Sequence, residues 1–191
     1  MLSYFIVLLA FMAPTQPNLI EERLNEKVKE HNLQKEEIVM LVDYSLPIKE
    51  KRFFVYNTRK KEVLYSDYVG HAYKSGQDHP VRTSNGRGSL KTSLGLYRIG
   101  QKYDGSYGES FRLKGLSMTN SNAYKRYIVV HTIVRPNSTM EFDEKGSVRY
   151  VGPEKNKLDY LYSEGCFVFY QESYPEVMIY MKKGRYLLAF R

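Results

Sequence analysis

The chain has 191 residues, enough for one domain with a hydrophobic core and a small appendage. Its formal charge of +8 favours polyanionic partners: nucleic acid, anionic lipid or the anionic polymers of a bacterial envelope. A single cysteine, Cys166, excludes an internal disulfide.

The first residues, "MLSYFIVLLAFMAPTQPN", run apolar from Phe5 to Met12 and break at Pro14 and Pro17. That core is short for a bilayer span and fits the apolar region of a signal peptide, although no Lys or Arg precedes it. Residues 1–17 are therefore expected to direct export or to contact the membrane. Residues 18–37 then open with "NLIEERLNEKVKEHN", which predicts a helix. Asn18 can cap it with Glu21 three positions on, and Ile20, Leu24 and Val28 form one apolar stripe.

From residue 38 the pattern turns extended. "EIVMLVDYS" is a short apolar run ended by Pro47, and "RFFVYN" and "EVLYSDYVGHA" flank the polar turn "NTRKK" as a hairpin. A loop dense in turn formers follows, "YKSGQDHPVRTSNGRGSLKTS", long enough to point to function or disorder. Strands resume with "LGLYRIGQKY", "ESFRLKG" and "YKRYIVVHT". A second polar loop, "RPNSTMEFDEKGSVRYVGPEKNKLD", has room for a short hairpin and leads to the cysteine. "SYPEVMIYMKK", with Ser173 as cap and Gly184 past its end, predicts a helix, and "RYLLAFR" a last strand. The fold class is mainly β, one domain over 38–191 with an N-terminal helix and a C-terminal helix and strand.

His31, His71, His79 and His131 stand far apart, with no HxxH, CxxC or HExxH spacing, so neither a metal nor another cofactor is expected. "SNGRGS" lacks the lysine spacing of a phosphate loop. Basic and aromatic residues are spread over every strand, which describes a basic sheet surface better than a nucleic-acid site, and no nucleic-acid partner is expected. What is left is the thiol. A lone cysteine in an exported protein is either a reactive group or an inert buried hydrophobe. Thiol catalysis needs a base within hydrogen-bond reach and donors for an oxyanion. His131, ending the apolar strand "YIVVH", is the best-placed base, and "SEGC" adds the Ser163 hydroxyl and Gly165, whose missing side chain lets backbone approach a substrate.

Those residues resemble a known family. "VVH" followed, after a variable loop, by "SEGC" is similar to the L,D-transpeptidase catalytic domain (YkuD-like), in its murein L,D-transpeptidase subgroup. "VMLVDYSLPIKEKRFFVYN", "VGHAYKSGQD", "SLKTSLGLYRIGQKYDGSYGESFRLKGL" and "GRYLLAF" extend the likeness from about Ile38 to the end. Three positions depart from the family pattern. Thr132 follows the histidine where glycine is frequent, Tyr162 precedes the serine where a basic residue is frequent, and Phe167 follows the cysteine where the broader family often has arginine.

The resemblance implies a β-sandwich or barrel acting on peptidoglycan stem peptides outside the cytoplasm, in the periplasm or cell envelope. It implies Cys166 as nucleophile, His131 as base, Ser163 or a nearby carbonyl orienting the imidazole, and amides near Gly165 and Cys166 holding the oxyanion. It further implies His71, Ser93 and Tyr97 as substrate-binding positions, a thioester intermediate and acylation by a carbapenem. A thiol paired with His131 would have its pKa below the usual value. A non-catalytic wall-binding module on the same fold stays open beside the enzyme.

Overall fold

The computed structural model describes residues 19–132, 139–142, 148–151 and 161–191. The expected leader, residues 1–17, and the Asn18 cap lie outside them. After helix α1 (Leu19–Glu30) come β1 (Ile38–Asp43), β2 (Phe53–Asn57), β3 (Glu62–Asp67) and β4 (His71–Ala72). Then follow β5 (Gly95–Gly105), β6 (Gly108–Gly115), β7 (Val129–Thr132), β8 (Thr139–Phe142) and β9 (Val148–Val151). The chain closes with β10 (Tyr162–Ser163), β11 (Phe167–Phe169), α2 (Tyr174–Tyr180) and β12 (Tyr186–Phe190).

Eight strands form one mixed sheet in the order β11-β7-β6-β5-β12-β1-β2-β3. The pairs β1–β12 and β7–β11 are parallel, and the other neighbours are antiparallel. Its central strands read as unbroken apolar runs because both faces are buried. On one face Met40, Val42, Phe53, Val55, Leu187 and Ala189 meet Val177 of α2. On the other, Val39, Leu41, Phe54, Tyr56, Leu188 and Phe190 pack against Leu24 and Val28 of α1. The apolar stripe of α1 thus does what its spacing predicts, except that Ile20 remains 38% exposed. The Glu21 carboxylate accepts the Val63 N–H of β3 at 3.2 Å.

The sheet curls until its two edges meet. Just past β3, the Gly70 N–H donates to Val168 O of β11 at 2.8 Å. The rings of Phe53 and Phe169 cross the interior edge to face, 4.9 Å apart. A Cβ at Gly70 would lie 2.2 Å from Leu161 O and 2.3 Å from the Val168 side chain, so glycine is what permits the closure. This is the mainly β, barrel-like architecture the sequence predicts. The short hairpin expected in the second polar loop is present as the antiparallel pair β8–β9.

Two local expectations fail. "YKRY" does not extend the strand before His131: Tyr124–Arg126 is a 3-10 turn, and Tyr127 takes a left-handed φ of 56°. Ser173 makes no side-chain cap on α2 and instead donates to Tyr170 O. The loop over residues 73–93 is held in place by side chains. Arg126 donates to Ser84 O and Lys91 O at 2.7 and 2.6 Å, Asn85 donates to Met118 O, and Thr92 Oγ1 accepts the Ala72 N–H.

Candidate active site

Cys166 stands immediately before β11, and strand alternation fixes where its side chain goes. Phe167 and Phe169 enter the core, so Cys166 and Val168 belong to the opposite face. His131 is the register partner of Val168 across the parallel β7–β11 ladder and therefore shares that face. The fold thus brings thiol and imidazole to one side of two adjacent strands, a short step apart.

A tight loop presents the thiol. Ser163 Oγ accepts the Gly165 N–H at 3.1 Å and donates to Cys166 O at 2.7 Å, tying residues 163–166 into one turn. Gly165 has φ +138°, and a Cβ there would meet Ile128 Cδ1 at 2.7 Å and the Arg126 guanidinium at 3.1 Å, so both conformation and space demand glycine. The Cys166 thiol is half-buried and donates to Tyr127 O at 3.6 Å. Burial pushes it up to about 11, against a backbone hydrogen bond from Val129 and the Arg126 charge, which favour the thiolate. This reverses the depressed thiol that a preformed His131 pair would give. The physical reason is that the pair is unmade: among the described residues no hydrogen bond joins His131 to Cys166.

The His131 ring is nonetheless held in one tautomer. Nδ1–H donates to Thr132 O, which fixes the tautomer and leaves the Nε2 lone pair without a hydrogen-bond partner among the described residues. The group that orients the imidazole is therefore the carbonyl, while Ser163 ties the loop that carries Cys166. Burial holds the imidazole down to about 4, with the Thr132 carbonyl opposing, so it is neutral at physiological pH. Tyr107, at the tip of the β5–β6 hairpin, stacks on the ring with centroids 4.5 Å apart. Thr132 Oγ1 donates to Tyr107 O at 3.0 Å and pins that tip, a contact glycine could not make.

His71, Ser93 and Tyr97 lie behind this surface. His71 is fully buried: Nδ1 accepts from Arg52 at 2.7 Å and Nε2–H donates to Gly76 O at 3.1 Å. Burial first, then the Arg52 charge, holds His71 down to about 4. Ser93 and Tyr97 share a hydroxyl–hydroxyl hydrogen bond of 2.8 Å, and the Tyr97 ring meets Phe167 edge to face at 5.4 Å. Any part these three play in substrate binding runs through the loops they hold. Tyr162 stands edge-on to His71 at 5.3 Å, and its hydroxyl donates to Gln77 O. An aromatic residue there, in place of a basic one, links His71 to the loop that carries Cys166.

Arg126, Tyr107, Tyr127 and Arg52 carry much of this arrangement, and no local pattern in the sequence marks them. Among the described residues no group of three or more His, Cys, Asp or Glu is placed to hold a metal ion. No helix among them is long and apolar enough to cross a membrane.

The arrangement defines a class: a curled mixed sheet that sets a thiol behind a glycine turn and a tautomer-fixed imidazole on one face. The family model for the L,D-transpeptidase catalytic domain matches residues 15–190, and the chain belongs to that family. Among solved structures it is similar to the K307A mutant of the helical cell shape determining protein Pgp2 from Campylobacter jejuni. That likeness has 15% identity and a TM-score of 0.49 and covers 88% of this chain and 53% of the other. Bdellovibrio bacteriovorus Bd1075 is similar at 17% identity and a TM-score of 0.47, over 81% of this chain and 48% of the other. An L,D-transpeptidase from Mycobacterium smegmatis is similar at 11% identity and a TM-score of 0.40, over 81% and 59%. The chain spans about half the length of the first two. No curated protein matches it.

Proposed function

We propose that this protein transfers acyl groups of peptidoglycan stem peptides through a thioester on Cys166. The observation that carries the reading is the placing of the His131 imidazole, whose Nδ1 is taken by Thr132 O, and the Cys166 thiol on one face of the parallel β7–β11 pair. His131 Nε2 takes the proton from Sγ as sulfur attacks the carbonyl between the L-configured centre of the diamino acid and the terminal D-residue. The C–N bond breaks, the thioester forms, and the imidazolium returns its proton to the leaving amine. An acceptor amine then completes a cross-link, or water trims the stem.

The neighbours favour the charge that develops. Arg126 and the Val129 amide act on the sulfur as it becomes anionic. The Gly165 N–H is already held by Ser163, which leaves the Cys166 amide as the loop's donor to the oxyanion. His71, Ser93 and Tyr97 shape the substrate wall from behind, and a carbapenem acylates the same sulfur. Residues 1–17, as an export signal, put this chemistry in the periplasm or cell envelope.

A second reading, a non-catalytic wall-binding module, draws on the missing Cys166–His131 hydrogen bond and on the thiol raised to about 11. Incubation with a stem tetrapeptide separates the two. The enzyme releases the terminal D-residue, and Cys166→Ser abolishes the release because a hydroxyl is a far weaker nucleophile. A module releases nothing in either form.

A further inference from the structure

Among the described residues, Arg112 on the Cys166 face has neither an ion-pair nor a hydrogen-bond partner for its guanidinium. Arg112 of β6 is opposite Val129 of β7, and Phe111 is opposite Val130. On the far side of β7, Phe167 is also opposite Val130, so one step back sets Cys166 beside Val129. Phe111, Val130 and Phe167 all enter the core, which turns Arg112, Val129 and Cys166 to the other face. The three make one row across the sheet, two strand spacings or about 10 Å from end to end.

Arg112 is half-buried among tyrosines. Its Cζ is 4.7 Å from the Tyr103 ring centroid and 5.8 Å from those of Tyr124 and Tyr127. Among the described residues no carboxylate, carbonyl or hydroxyl pairs with its guanidinium. Lys114 and Lys183 line the same cleft of about 310 Å³. Cation–π contact occupies the faces of a guanidinium and leaves its N–H edges free, which suits bidentate capture of a carboxylate.

Tyr127 connects this cation to the nucleophile. A left-handed φ is costly for so bulky a residue, and such strain clusters at functional sites. Here it aims the Tyr127 carbonyl at Cys166 Sγ and the ring at Arg112.

We propose that Arg112, cradled by Tyr103, Tyr124 and Tyr127, binds a free carboxylate of the stem peptide whose scissile carbonyl lies at Cys166. The proposal rests on the stem peptide being the substrate. Two residues of extended peptide span about 7 Å, and the arginine side chain covers the rest of the row. The contact is made equally before and during acyl transfer, so it governs affinity and KM more than kcat.

The test measures binding to Cys166→Ala protein, which cannot be acylated. Its ligands are a stem tetrapeptide with free carboxylates and counterparts amidated one carboxylate at a time. Amidating one particular carboxylate should weaken binding by about 10- to 100-fold, the range of one charge-assisted pair. Adding Arg112→Gln should weaken the free peptide by the same factor and leave that amide unchanged, and Arg112→Lys should restore part of the loss. Circular dichroism checks that both variants keep the parent fold. A carboxylate preference that survives Arg112→Gln overturns the proposal. So does its absence from the parent protein while wild type still acylates with the peptide, in which case the enzyme reading stands. A peptide that neither binds nor acylates wild type overturns both.

Discussion

His131→Ala is expected to lower product formation by at least the ~100-fold typical of an acid–base group, with substrate affinity nearly unchanged. The same variant should leave alkylation of the ligand-free thiol almost untouched. That contrast follows from the geometry. His131 turns Nδ1–H to Thr132 O and stacks on Tyr107, while Cys166 donates to Tyr127 O. With the thiol up at about 11 and the imidazole down at about 4, the proton rests on sulfur before substrate arrives. Thiolate is the nucleophile, so alkylation of wild type should climb by about tenfold per pH unit from pH 7 to 9 without a plateau. Iodoacetamide rates across that range, beside turnover of both proteins, test the point. A plateau near pH 6 that His131→Ala removes would mean that the thiolate–imidazolium pair is already formed.

Arg52→Ala should cost about 3 kcal/mol of stability or more, read from denaturant unfolding. Arg52 has no exposed surface and donates to Val69 O at 2.9 Å, to Leu46 O and Asp78 O at 3.2 Å each, and to His71 Nδ1. Its removal strands three carbonyls and opens a void against the Tyr44 ring, over which the guanidinium sits at 4.9 Å. Arg52→Met fills most of the void and leaves the carbonyls unpaired, so it should recover only the packing part. Activity should fall as well, because the chain Arg52–His71–Tyr162 ends one residue before the loop that presents Cys166. A loss below about 1 kcal/mol would show that the stranded groups find water or new partners.

The parts legible in the sequence are those that local pattern controls. Leu24 and Val28 recur at helical spacing, and they are the residues α1 buries. The unbroken apolar runs of β1, β2 and β12 become strands covered on both faces. His131 and the Ser163–Gly165–Cys166 turn stand out because the family spaces them along the chain and the β7–β11 ladder then joins them. What stays hidden is what the fold assembles from distant segments. Nothing local to Glu21 signals that β3 passes close enough to offer its carboxylate a backbone amide. "YKRY" alternates like a strand, yet the chain must turn left-handed at Tyr127 to carry its carbonyl to the thiol. Arg126 reads as one basic residue among many until the loop over residues 73–93 folds onto it. The resting protonation of the thiol is a tertiary property too, set by burial against the Val129 amide and the Arg126 charge.

Acyl transfer through Cys166 passes through a covalent adduct, which the mass of the intact protein reports. Wild-type protein incubated with a stem tetrapeptide, or with a carbapenem as a slowly released acyl donor, should gain the mass of the acyl group. Peptide mapping should place that mass on Cys166. With the tetrapeptide, the gain should equal the peptide without its terminal D-residue. Cys166→Ser protein should gain nothing. A wild-type mass that stays unshifted with both donors, while the protein still sediments with peptidoglycan, would contradict the account and leave a wall-binding module whose single thiol is packing.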